Sequence, residues 1–128
     1  MSSEYGQFIS QLFDHIFFGN DKAAGLAAFE RDIAPDAKIA FNGAEIDNVK
    51  FREELERFHG NAIAEPISKE TLAMVELPGG GAVCSGVVKL KRTDKMDGSV
   101  KNQVAVQIIK VETRGGRKVV TAWCGVRQ

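Results

Sequence analysis

Few side chains in this sequence are of a type that moves protons or holds metal ions. His15 and His59 are the two histidines, and Cys84 and Cys124 the two cysteines. An imidazole with an unperturbed pKa near 6.5 exchanges protons close to neutrality. His59, between Phe58 and Gly60, is therefore the residue on which acid–base catalysis would rest. A cationic histidine at a helix end is also favoured by the helix dipole, so termination of a helix explains it as well. Asn42 and Asp47 are polar enough to orient a ligand or a water near it. Turn formation and helix capping account for both without a ligand. His15 follows Asp14 at the edge of an apolar stripe and reads as a surface residue. The cysteines lie in apolar runs, where a thiol is usually an inert small hydrophobe. Two cysteines and two histidines at these separations make no zinc spacing, and no metal or cofactor is expected. A Cys84–Cys124 bridge requires their strands to be neighbours. Gly79-Gly80-Gly81 opens no helix and lacks a Lys-Ser/Thr ending, so it is a turn rather than a phosphate loop.

The elements that would position these groups are well marked. Tyr5, Phe8, Ile9, Leu12, Phe13 and Ile16 recur at spacings of three and four, predicting a helix over Tyr5–Phe18. Ser2 or Ser3 is its cap, and Gly19-Asn20 its stop. Asp21 caps a second helix, about Lys22–Arg31, with Leu26, Phe29 and Ile33 inward, and Pro35-Asp36 breaks the chain. Lys38–Ile46 reads as two short strands around Asn42-Gly43, a pair that favours positive φ at both central positions. Asp47 or Asn48 caps a third helix over Val49–Phe58, whose apolar set is Val49, Phe51, Leu55 and Phe58.

Beyond Gly60 the period changes to two. Strands are predicted over Ile63–Leu77 (interrupted near Pro66), Ala82–Thr93, Val100–Thr113 and Lys118–Arg127. Turn signals separate them and no helical pattern intervenes, which argues an antiparallel meander. Val104, Val106 and Ile108 occupy one face of the third run; Gln103, Ala105, Gln107 and Ile109 occupy the other. In the last run Val120, Ala122, Cys124 and Val126 alternate with Val119, Thr121 and Trp123. A sheet packed on one side alone should alternate cleanly between apolar and polar. Two apolar faces imply helices on one side and a second copy of the chain on the other.

Composition limits the function classes. The length of 128 residues gives one domain, 1–128. The hydrophobic fraction of 44% and charged fraction of 27% are ordinary for a globular chain. No run approaches the ~20 apolar residues of a membrane span. No secretory signal is visible, so a cytoplasmic, reduced setting is expected. The net charge is zero, but residues 1–88 carry −7 and residues 89–128 carry +7. The basic residues of the second part fall at strand ends and turns, where they guard sheet edges. They are read as solvated charge rather than a nucleic-acid surface.

The order helix, helix, short hairpin, helix, four-strand meander resembles the nuclear transport factor 2-like superfamily, and within it the SnoaL-like group. The residues that carry the likeness are LAAFERDIAPDAKIAFNGAEID followed by VKFREELERF. The resemblance implies an α+β cone with a cystatin-like fold: a curved antiparallel sheet wrapped around a long N-terminal helix, with three helices in all. It also implies an apolar pocket for a small apolar metabolite, lined by Phe13, Phe17, Phe41, Asn42, Phe58 and Trp123. The alternative it implies is a cofactor-free isomerase or cyclase of polyketide- or terpenoid-type metabolism. The ketosteroid isomerase branch needs a hydroxyl donor on the first helix and a carboxylate base after the first strand. Aligned through Gly19–Asp21 and Asp36-Ala37, those positions hold Phe13 and Phe41, both apolar. The scytalone dehydratase branch relies on strand histidines, whereas His15 and His59 lie on or beside helices. His59 is then the remaining catalytic candidate, with Asn42 or Asp47 as its orienting neighbours.

Overall fold

The structure is a computed structural model that describes residues 4–128. The expected caps Ser2 and Ser3 lie outside the described residues. Helix α1 spans Glu4–Phe13 and continues as a π-helical segment, Asp14–Phe18. Asn20 then takes a left-handed conformation (φ 53°) and ends the helix. Its side chain is anchored on both sides: Nδ2 donates to the Ala64 carbonyl, and Oδ1 accepts from the Ala64 amide, each at 2.9 Å. Asp21 caps α2 (Lys22–Asp32) by accepting from the Ala24 amide at 3.0 Å.

The chain enters β1 (Ile33–Phe41) directly from α2. Pro35-Asp36 does not break it, as the sequence suggested. Instead it sits within β1 at an irregularity between the Ile33 and Lys38 pairings. Asn42 (φ 52°) and Gly43 (φ 83°) turn the chain into β2 (Ala44–Ile46), with the positive φ pair expected of that dipeptide. Asp47 caps α3 (Asn48–Asn61), accepting from the Lys50 amide at 2.7 Å. Four long strands follow: β3 (Ala62–Leu77), β4 (Gly81–Asp94), β5 (Val100–Arg114) and β6 (Arg117–Arg127).

The strands form one six-stranded sheet in the order β2-β1-β6-β5-β4-β3. The meander β3 to β6 is antiparallel throughout, as the period-two pattern required. The sheet as a whole is mixed, because β1 pairs in parallel with β6. A parallel neighbour needs a long crossover, here everything between β1 and β6.

The register sorts residues into rows across the sheet. Cys84, Ile109, Trp123 and Ile39 lie side by side and are all buried. This inner face packs against α1 residues Leu12 and Phe13, and against Phe29, Phe51 and Leu55 of α2 and α3. One residue along, Ser85, Ile108, Cys124 and Ala40 form a row on the opposite face. There Val104, Val106, Ile108 and Val126 are exposed. At the start of β6 the alternation fails. Val119, Val120 and Thr121 are all buried where the β5 pairing shifts register, and the Thr121 hydroxyl finds no hydrogen-bond partner. Cys84 and Cys124 are free, separated by β5, and belong to opposite faces, so no bridge joins them. Among the described residues no helix is long and apolar enough to cross a membrane.

Candidate ligand-binding site

The inner face and the helices enclose a cavity of about 290 Å3, open at one end of the cone. Trp123, from the middle of β6, is its centre. The rings of Phe13, Phe51, Phe41 and Phe17 surround the indole with centroids at 5.3, 5.3, 6.0 and 6.4 Å, all edge-on. Phe58 meets Phe17 at 5.7 Å. Edge-to-face pairs contribute about 0.5–1.5 kcal/mol each beyond burial, so these walls are largely preformed. Phe17 and Phe18 line the cavity from the π-helical segment. Such one-turn bulges recur at functional sites.

Gly125 opens the floor. Gly86 and Gly125 flank Gln107 in adjacent strands, and Phe41 continues the row beyond Gly125. A Cβ on Gly125 would sit 3.4 Å from the Phe41 ring. The missing side chain leaves room for that ring beside the strand. Gln107 itself is 6% exposed, lines the cavity, and makes no side-chain hydrogen bond among the described residues.

The mouth is polar. Arg92 lies over the Phe58 ring at 5.1 Å and Arg127 over the Phe41 ring at 5.6 Å. Arg57, Glu54, Asn61 and Gln103 complete the rim.

Phe13, Phe17, Phe41, Phe58 and Trp123 stand on the wall of this cavity. Asn42 does not; its Oδ1 accepts from the Arg127 amide at 2.9 Å, tying the hairpin to the end of β6. Asp47 is an exposed helix cap, occupied with the Lys50 amide. His59 is also off the lining. It is buried in the contact between α3, the end of the first helix and Gly25 of α2. Its Nε2 lies 2.6 Å from the Ile16 carbonyl. A carbonyl only accepts, so Nε2 carries the proton and satisfies a helix-end acceptor that would otherwise be buried without a partner. His15 is exposed, 3.4 Å from Arg31. Sequence reasoning missed Phe51, Gln107 and the arginines as site residues. The signal for Gln107 was visible: a glutamine on a strand face shared with Ile109.

No protein-family model matches this sequence, and no curated protein matches it either. Solved structures do. A ketosteroid isomerase-like protein from Erwinia carotovora atroseptica superposes with a TM-score of 0.75 at 14% identity, over 99% of this chain and 98% of that one. The association domain of CaMKII from C. elegans gives 0.66 at 13% identity, over 93% and 89%. A nuclear transport factor 2-like superfamily protein from Salmonella enterica gives 0.68 at 9% identity, over 93% and 87%. The chain has the nuclear transport factor 2-like, cystatin-like fold: an α+β cone with three helices and one curved sheet.

Proposed function

We propose that this protein binds one small, mainly apolar metabolite inside the cone and self-associates through the outer face of its sheet. The observation that carries the first part is the ring-walled cavity. Its volume lies at the lower end of the roughly 300–1,000 Å3 typical of small-molecule sites. The alternative of a cofactor-free isomerase or cyclase has less support. Phe13 and Phe41, which the resemblance aligns with positions where that chemistry needs polar groups, are apolar, Glu54 at the rim is the one carboxylate side chain on the wall, and His59 is engaged with Ile16.

Self-association is supported by Val104, Val106, Ile108 and Val126, four exposed apolar side chains on the outer face of β5 and β6. Two-fold pairing is the commonest closed solution, and the association domain above shares the fold. The test of the binding reading is native mass spectrometry of protein purified directly from cells, followed by solvent extraction. A single small-molecule adduct is expected, and Ala105→Phe, which fills the cavity from its floor, should abolish it. An adduct that persists in that variant, or none in the parent protein, would overturn the reading.

A further inference from the structure

The cavity is apolar, but its mouth is not neutral. Arg57, Arg92 and Arg127 line it against a single carboxylate, Glu54. None of the three guanidiniums has an ion-pair partner within 4 Å among the described residues, and neither does Glu54. Elsewhere Arg31 pairs with Asp32, Arg52 with Glu30 and Glu56, and Arg114 with Asp36, while Arg117 in the β5–β6 turn has no ion pair among the described residues. Arg92 and Arg127 are also held in place, each lying over an aromatic ring of the cavity wall. A guanidinium stacked this way keeps its in-plane N–H groups free to donate. Deeper inside, Gln107 presents a buried amide with no protein partner. The amide is not sealed off: its atoms open onto the cavity, where they are free to bond a ligand oxygen.

The register fixes how these groups are spaced. Gln107 stands in the row with Gly86 and Gly125; Arg127 belongs to the next row toward the mouth, beside Ala105 and Val88. Adjacent same-face rows are about 7 Å apart. Arg92, four residues beyond Val88 on β4, extends the basic rim further out.

Building on the reading that the cavity takes a small molecule, we propose that its ligand is an oxygenated apolar carboxylate. The carboxylate meets Arg92 and Arg127 at the mouth. A flat apolar body lies among the rings around Trp123. A hydroxyl or carbonyl at the far end bonds the Gln107 amide, which can serve either partner because it both donates and accepts. Gln103 at the rim adds a neutral donor beside the carboxylate.

Three rigid two-ring probes separate the parts of this proposal: 6-hydroxy-2-naphthoate, 2-naphthoate and 6-hydroxy-2-naphthamide. Trp123 is the sole tryptophan and lines the cavity, so its emission reports occupancy directly. Calorimetry supplies affinities. The hydroxynaphthoate should bind at least tenfold more tightly than the amide at low salt, with the preference shrinking in 0.5 M NaCl. Arg92→Gln with Arg127→Gln should erase that preference while leaving the amide's affinity within about twofold, which also shows that the variant is folded. Gln107→Leu should remove the preference for hydroxynaphthoate over naphthoate and leave the salt dependence intact. Equal binding of acid and amide would overturn the carboxylate assignment while leaving the cavity reading standing. Failure of all three probes to bind would overturn both.

Discussion

Gly25 occupies the interior of α2, where alanine is ordinarily better by about 0.8–1.0 kcal/mol. Here Gly25→Ala should destabilise. A Cβ at this position would lie 2.8 Å from His59 Nε2 and 3.0 Å from the Ile16 carbonyl oxygen. Those two atoms are themselves 2.6 Å apart and buried, so neither can yield without breaking their hydrogen bond. Overpacking of a tight interior typically costs about 1–3 kcal/mol. Stranding a buried acceptor costs about 1–3 kcal/mol more. Against the gain in helix propensity, a net loss of about 2 kcal/mol is expected. Urea unfolding at pH 7 measures it, in a double-mutant cycle with His59→Ala. The single His59→Ala change should itself cost about 2–3 kcal/mol through the lost bond and the space left behind. In that background the new methyl has room, and Gly25→Ala should become neutral or stabilising. A Gly25→Ala protein as stable as the parent, or costs that simply add, would refute the idea that His59 is a structural pin between helices.

Phe13→Ala removes a buried ring that touches Trp123; because the site already borders open space, about 3 kcal/mol is expected by urea unfolding, the low end for such a truncation. A loss below about 1 kcal/mol would contradict its placement. Ile108→Lys, on the exposed row, should halve the mass found by light scattering at micromolar concentration and leave the circular dichroism unchanged; a parent protein that is already monomeric would end the self-association reading. Burial pushes the Cys84 thiol up, so in the Ile108→Lys variant, whose outer face is free, a disulfide reagent at pH 8 should titrate Cys124 first and Cys84 only on unfolding. The Arg114 guanidinium holds the Asp36 carboxyl below its usual range. The folded-state pKa is the lower one, so the small advantage of the parent over Asp36→Asn should be complete above about pH 4 and fade as the pH falls below it. A stability difference between these two proteins that grows toward acid would reverse that sign.

Much of this architecture is legible in local pattern. The three helices, the hairpin at Asn42-Gly43 and the four-strand meander follow from period, caps and turn residues. The parallel β1–β6 pairing does not, because nothing local records which edge of a meander receives a distant hairpin. The ring cluster was readable because aromatic residues on inward stripes have few other places to go. His59 misled for a physical reason: proximity in sequence to a helix end says nothing about which side of that helix its ring faces. Its partner, the Ile16 carbonyl, is a backbone atom forty-three residues away. Phe51 was assigned to a packing face, and so it packs, yet the same face also walls the cavity. Gln107 shows in the pattern as a glutamine on an apolar strand face, but the arginines do not, because their meaning lies in partners they lack, and an absent partner leaves no trace in spacing.

Beyond the irregular start of β6, the alternation of β5 and β6 gives the sheet a property that neither face has alone. Gln107 and Ile108 are consecutive letters, as are Trp123 and Cys124, or Val126 and Arg127, yet each pair is split between the cone and the exterior. Two texts are thus interleaved on one strand, odd letters for whatever lies inside and even letters, or the reverse, for whatever lies outside. A substitution edits one text and leaves the other intact, so interior and exterior are free to diverge separately. A single-residue insertion or deletion within these strands exchanges the two texts at once, sending isoleucine into the cavity and glutamine to the surface. The sheet should therefore tolerate point changes on either face far better than any change in length.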